Sequence, residues 1–214
     1  MLEPVAVIGG TGKLGSAIAR RLAKAGRRVI IGSRSAQNAA AAAAELGLGS
    51  MGATNPEAAK LGGIILVTVP FAAQEATLTE IAPHVSGKIV IDTTVPLMPP
   101  KVMRVQLPPE GSAAQRAQKL LGPQVPVVSA FHNVAAHKLA ADAKIECDVL
   151  VFGDDKDARA QAAELVGLTG LRAIQGGALA NSAAAEAMTS VLIFINKTYQ
   201  VDGAGLVITG QLNF

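Results

Sequence analysis

Gly10, Gly12 and Gly15 stand in the stretch VIGGTGKLG with the spacing Gly-x-Gly-x-x-Gly, directly after the apolar run Val5–Ile8 and before a segment of helical periodicity. Strand, glycine turn and helix in that order leave the amide N–H groups of the helix's first turn free to meet a pyrophosphate. Gly10 is expected to permit the turn, Gly12 to admit the phosphates and Gly15 to let helix lie close on strand, with Thr11, Lys13 and Leu14 completing the loop. The next apolar run, Val29–Ile31, ends in Gly32-Ser33-Arg34. A carboxylate at that point, about 20 residues past the glycines, would hold the ribose hydroxyls of NAD. Ser33 and Arg34 instead offer a hydroxyl and a charge-assisted donor fork, which suit a 2′-phosphate. The pattern predicts a dinucleotide site that prefers NADP, with Thr11, Ser33 and Arg34 as its phosphate ligands. The plain alternative for Arg34 is a solvated surface charge.

Little else in the chain is equipped for chemistry. There is no Ser-His-Asp set and no metal-ligand spacing, and the three histidines are His84, His132 and His137. His132 follows the run Val125–Ser129, where residues of a binding crevice occur, and is either a ligand contact or a core histidine. Asp154-Asp155 precedes KDARAQAAEL and is read as a helix cap with a first-turn acid, not as a metal pair. Lys197, beside Asn196, is a candidate acid, although a lysine on the surface or at a dimer edge is the simpler reading. Cys147 has no partner for an internal disulfide, which fits a reducing compartment.

These residues need a scaffold, and the apolar runs supply one. Val5–Ile8, Val29–Ile31, Ile64–Val69, Lys88–Ile91, Val125–Ser129, Val149–Phe152 and Leu171–Ile174 are short, β-branched and continuous, as strands covered on both faces should be; Ser50–Ala53 is a weaker candidate. Leu14, Ile18, Leu22 and Ala25 recur at helical spacing. Asn55-Pro56-Glu57 is expected to cap and open one helix, and Ser112 to cap Ala113–Leu121. The alternation predicts an α/β fold of Rossmann type, a doubly wound and mostly parallel sheet with its crevice at the carboxyl ends of the strands. Residues 1–177 would form the nucleotide domain, with the proline-rich stretch Pro96–Ser112 as a crossover. Residues 178–214 would form a helical segment that closes the crevice or joins two copies.

The bulk properties exclude several classes of function. With 214 residues, half of them hydrophobic and 16% charged, the chain can build a sizeable core and is not a disordered segment. Aromatic residues are only 3% and the +3 net charge is dispersed, which argues against nucleic acid as partner. No uninterrupted apolar stretch reaches the roughly 18 residues of a membrane span, and Met1-Leu2-Glu3-Pro4 lacks a basic n-region, so a cytoplasmic location is expected.

The blocks IGGTGKLG, IGSR, VTVPF, PEGSAAQ, VVSAFHNVAAHKL, VFGDD and ALANSAAAEAMTSVLIFIN carry a resemblance that runs along essentially the whole chain. The sequence resembles the coenzyme F420-dependent NADP oxidoreductases. The resemblance implies reversible hydride transfer between NADP and the deazaflavin of F420, with the rings stacked and small-molecule coenzymes as the only partners besides a second copy of the chain. It also implies that Gly10 to Gly15, Ser33 and Arg34 bind NADP, that Val69, Pro70 and Phe71 wall the cofactor, and that Val134 and Ala136 meet the nicotinamide. His132, Asn133, Asn181, Leu206 and Val207 would then belong to the F420 side. Phe71, Asn38 and Ala135 stand where the family often carries tryptophan, a basic residue and proline. Two other readings fit the residues alone: an NADPH-dependent reductase of a carbonyl, imine or flavin using Lys197 or His132 as proton donor, and a non-catalytic NADP sensor.

Overall fold

Short strands of three to six residues and alanine-rich helices alternate through the computed structural model, which describes residues 3–212. The strands are β1 (Val5–Ile8), β2 (Val29–Ser33), β3 (Met51–Thr54), β4 (Ile64–Val67), β5 (Ile89–Asp92), β6 (Val127–Ser129), β7 (Asp148–Gly153) and β8 (Arg172–Gly177). The helices are α1 (Lys13–Lys24), α2 (Ala36–Leu46), α3 (Asn55–Leu61), α4 (Phe71–Ile81), α5 (Ala113–Leu121), α6 (Ala136–Ala140), α7 (Lys156–Leu168) and α8 (Ser182–Tyr199). They form one sheet in the order β3-β2-β1-β4-β5-β6-β7-β8, parallel throughout except where β7 runs against β6. The expected mostly parallel, Rossmann-like α/β sheet is therefore what the chain builds, and the strand order reverses direction beside β1, where such folds open their crevice.

The central strands are apolar because helices cover both faces: β1 and β4 are buried at every position, whereas the edge strands β3 and β8 have no buried residue. Ala17, Ile18 and Leu22 turn the inner face of α1 into the core, while Arg21 lies along the helix flank and donates to the carbonyls of Leu139, Ala141 and Thr169. Capping follows the side chains closely. Ser112 accepts from the Gln115 amide and Asp155 from the Ala158 amide, as expected of N-caps. Two expectations are corrected. The cap of α3 is Thr54, whose amide and hydroxyl both donate to Glu57, and Asn55 is the first helical residue, so its side chain is free for another use. Asp154 is not part of a cap pair; its carboxylate accepts the amide of Leu179.

The reversal at β7 decides where the C-terminal segment goes. β7 comes down against β6 from beyond its carboxyl end, and the pairings of Gly177 with Phe152, Phe152 with Ser129 and Ser129 with Asp92 leave the end of β8 level with the carboxyl ends of the parallel strands. From there α8 departs beside the first residues of α5. Leu179–Tyr199 has the 21-residue length and mean hydropathy of 1.2 that a membrane span would need. Polar contacts fasten it to the sheet domain instead: Ser182 donates to Ser112, Glu186 accepts the amides of Ala113 and Ala114, Thr189 donates to the His132 carbonyl and Ser190 to that of Arg104. The tail beyond α8 then folds onto the start of β7. Leu206 accepts the Asp148 amide, and the Asp148 carboxylate accepts both the Ile208 amide and a two-pronged bond from Arg172.

Two carboxyl groups in this joint are buried. Burial pushes Glu186 up to about 8 despite the two amides that favour its charged form, with the nearby Asp92 adding to the rise. Asp92, at the end of β5, is pushed up to about 6 by burial, against bonds from Thr94 and Gln74. The folded chain thus keeps protons that the unfolded chain has already released near the ordinary carboxylate values of 3.8 and 4.5. Stability from these groups is complete in acid and is lost as pH rises toward about 8. Urea midpoints should accordingly fall between about pH 5 and pH 8.5, and Glu186→Gln should flatten the upper part of that fall; a midpoint that rises over this range would contradict the burial argument.

Candidate functional site

The loop after β1 is shaped by what cannot fit there. Gly9, not Gly10, makes the turn in the left-handed region, with φ of 74°, so the role expected of Gly10 is corrected. A Cβ on Gly10 would lie 2.7 Å from the Val7 carbonyl oxygen, and its amide bonds Val7 and Gly32. A Cβ on Gly15 would collide with the Thr68 hydroxyl and sit 2.9 Å from Gly10 Cα. Glycine there sets the depth at which α1 docks. Gly12 is exposed and is the helix N-cap, with no side chain satisfying the first-turn amides and no acid beside them. Those amides face outward as an anion cradle.

Above this cradle lies a cavity of about 740 Å³. Gly9, Thr11 and Gly12 line one side, Ser33, Arg34, Ser35 and Asn38 another, and Thr68, Val69 and Pro70 a third. Ser33 is buried and Arg34 exposed, so the rim carries the positive charge and the wall a hydroxyl. Exposed Lys13 and half-buried Leu14, the first two residues of α1, lie outside this lining. Phe71 also stays out of it. Its ring sits under the Arg116 guanidinium, 4.2 Å from the ring centre, and Arg116 is held by the Gln74 side chain and the Phe71 carbonyl.

The segment after β6 makes a second wall. Phe131 is fully buried with φ of 65°, a strained conformation for a bulky residue and one that turns the chain sharply at the strand's end. His132 is buried behind it, its Nε2 2.7 Å from the Ser129 hydroxyl, and burial lowers its pKa to about 4. The imidazole is neutral at physiological pH. Asn133 is also buried, and its amide donates to the Ala185 carbonyl and the Thr189 hydroxyl, which commits it to holding α8. Val134 lines a separate cavity of about 420 Å³ together with Ala135, Lys138, Cys147 and the tail residues Gly203 and Gly205, while Ala136 opens α6 without lining it.

The remaining sequence candidates are spread out. Leu206 is half-buried and Val207 exposed in the tail latched to Asp148, at the crevice end of the sheet. Asn181 is exposed and donates to the Gly176 carbonyl, level with the carboxyl ends of β5 and β6, where Gly177 pairs with Phe152 and Phe152 with Ser129. Lys197 lies in the last turn of α8, about 12 Å along the axis from Thr189 by helical rise. Conversely, Asn55, Thr68 and Thr77 line the first cavity without having been singled out in the sequence. The one available signal was Gly32 in IGSR: a Cβ there would sit 3.0 Å from the Asn55 side-chain oxygen, so the glycine makes room for a neighbour.

Comparison with known proteins points one way. A family model described as NADP oxidoreductase, coenzyme F420-dependent, matches residues 4–96. The F420-dependent NADP reductase of Methanothermobacter thermautotrophicus is 40% identical, over 98% of this chain and 96% of its own. That of Methanocaldococcus jannaschii is 37% identical, over 96% and 97%. Among solved structures, a candidate F420-dependent NADP reductase from Arthrobacter sp. FB24 superposes with a TM-score of 0.85 at 24% identity, covering 98% of this chain and 100% of that one. An imine reductase from Myxococcus stipitatus shares the fold at a TM-score of 0.67 and 19% identity, over 94% of this chain and 62% of its own.

Proposed function

The chain belongs to the coenzyme F420-dependent NADP oxidoreductases, and on that basis we propose how its residues serve hydride transfer between NADP(H) and F420. The cradle fits a dinucleotide: its glycines keep backbone amides bare, and its neighbouring cavity ends in a hydroxyl and an arginine where a carboxylate would exclude a 2′-phosphate. When bound, the two coenzymes supply the donor and acceptor carbons of the hydride. The chain's own part is to hold and align them. Gly10 to Gly15 would receive the pyrophosphate, Thr11, Ser33 and Arg34 the 2′-phosphate, and Val69 and Pro70 the face of the nucleotide. Phe71, fixed under Arg116, supports that wall from behind. Val134, Ala136 and the tail at Leu206 and Val207 would bound the acceptor side.

The observation that carries the direct-transfer reading is the state of His132. A proton donor must be charged or able to release a proton at the reacting atom. His132 is neutral, enclosed and already bonded to Ser129, and Lys197 is displaced along α8. These features support direct transfer over the carbonyl or imine reductase reading.

We also infer a homodimer, a cytoplasmic location and a closing role for the segment from 178 onward. The outer face of α8 exposes Val191, Phe194 and Tyr199, and the loop that the buried Ser190 holds at Arg104 exposes Met103 and Val105. An apolar patch of that kind is what a two-fold interface buries against itself.

Three outcomes are expected. Arg34→Ala should weaken NADPH by about ten- to a hundredfold and leave NADH nearly unchanged, measured as dissociation constants; equal losses would remove the 2′-phosphate assignment. Deuterium from C4-labelled NADPH should arrive on F420 without exchange into water, and His132→Ala and Lys197→Ala should both keep measurable F420 reduction. Washout of the label, or abolition by Lys197→Ala, would favour the acid-dependent reductase. In sedimentation, Phe194→Asp should shift the chain from dimer to monomer.

A further inference from the structure

Asn55 has no role in capping, yet it is 2% exposed and lines the cavity above the glycine loop. A buried carboxamide has two ends to satisfy. One end is settled: its Oδ1 accepts the amide of Gly9 at 3.3 Å. Because a backbone N–H can only donate, this bond fixes which way the carboxamide points and leaves the NH2 group on the other side. That group has no acceptor among the described residues, and it is not among the fully enclosed side-chain atoms lacking a partner, which are Arg27 Nε and Ser50 Oγ. It therefore opens on the cavity.

We propose that Asn55 is a binding residue for the adenosine half of the dinucleotide, its oxygen holding the Gly9 turn and its NH2 group donating to an oxygen of the ribose 5′-phosphate unit. The place supports this chemistry. Asn55 stands between the Gly9 turn and the end of β2, the two elements that surround the adenosine ribose in folds of this type. The group is neutral and donor-only toward the cavity, so it can donate to a sugar or phosphate oxygen whether or not a 2′-phosphate is present. Gly32 is part of the same device, since a side chain there would press on Asn55 Oδ1 at 3.0 Å and on Ala58 at 3.2 Å. Arg34 would thus read the 2′-phosphate from the exposed rim, and Asn55 would hold what NADP and NAD have in common.

The proposal rests on the cavity being the dinucleotide site, and its test separates the two. Asn55→Asp is nearly isosteric and keeps an acceptor for Gly9 but removes the donor. In the full-length chain it should weaken NADPH, NADH and the fragment 2′,5′-ADP by similar factors, about tenfold or more, in fluorescence and calorimetric titrations. Gly32→Ala, which displaces Asn55 without altering it, should weaken the same three ligands. Wild-type affinity in Asn55→Asp would overturn the proposal, as would a loss confined to NADPH and 2′,5′-ADP, which would put the contact on the 2′-phosphate. Unchanged binding of 2′,5′-ADP beside weakened NADH would put it on the nicotinamide half and overturn it equally. A wild-type chain binding none of the three would instead remove the cofactor assignment itself.

Discussion

Nothing but hydrogen can occupy the space between the first turn of α1 and the strand ends beneath it. Gly15 lies against Thr68 and Gly10, and Gly10 lies against the Val7 carbonyl, so the helix docks at a depth that any Cβ would spoil. The consequences spread outward. With the helix this close, its first-turn amides reach the rim of the sheet, and the Gly9 turn is pressed to where Asn55 can grip it. Thr68 is fixed too, its hydroxyl donating to the Ile8 carbonyl, which ties the end of β4 to the end of β1. The cavity above the glycine loop is the space left over once these contacts are made.

A second constraint is topological. The reversal at β7 starts that strand beyond the ends of its parallel neighbours, and β8 comes down only as far as Gly177, level with Phe152, Ser129 and Asp92, so α8 leaves from the crevice edge of the sheet beside Ser112. An apolar helix leaving there has no intrinsic reason to stop at one register. Its small polar residues provide the reason, because Ser182, Glu186, Thr189 and Ser190 each meet a fixed partner on the sheet domain. A slip of one residue would leave a buried carboxyl and several hydroxyls unpaired, at about 1–3 kcal/mol each. Asn133, one residue past His132, is the reciprocal contact, so the joint that seats α8 also immobilises the wall of the crevice.

The fold was legible in the sequence because both of its signals are local. Strands covered on two faces read as unbroken apolar runs, and caps such as Ser112 and Asp155 are decided within a few residues. Even the errors were local: Thr54 and Asn55 are both good cap residues, and the Glu57 carboxylate chose between them. That the glycine loop and Ser33-Arg34 come together was legible for the same reason, and they line one cavity. What could not be read were pairings between distant segments. Asn55 meets Gly9 across 46 positions and Glu186 meets α5 across 73, and no periodicity announces either. Nor did the sequence distinguish a ligand-facing His132 from a core one, which depended on the strained turn at Phe131 and the hydroxyl of Ser129.

The division between exposed and buried polar groups at the cavity follows from what each has to recognise. A 2′-phosphate brings its own charge, and an exposed guanidinium can meet it without first being stripped of water, so the exposed Arg34 on the rim suits the role proposed for it. A buried arginine there would cost several kcal/mol whenever the cavity held no phosphate. The sugar oxygens are neutral and weakly accepting, and a donor in bulk water gains little by meeting them; the same donor held at 2% exposure, already oriented by the Gly9 amide, gives up almost no solvation or freedom on binding. On the proposed assignments, a charged group on the rim and a neutral one in the wall would let one crevice hold the nucleotide body firmly and still discriminate by a single phosphate.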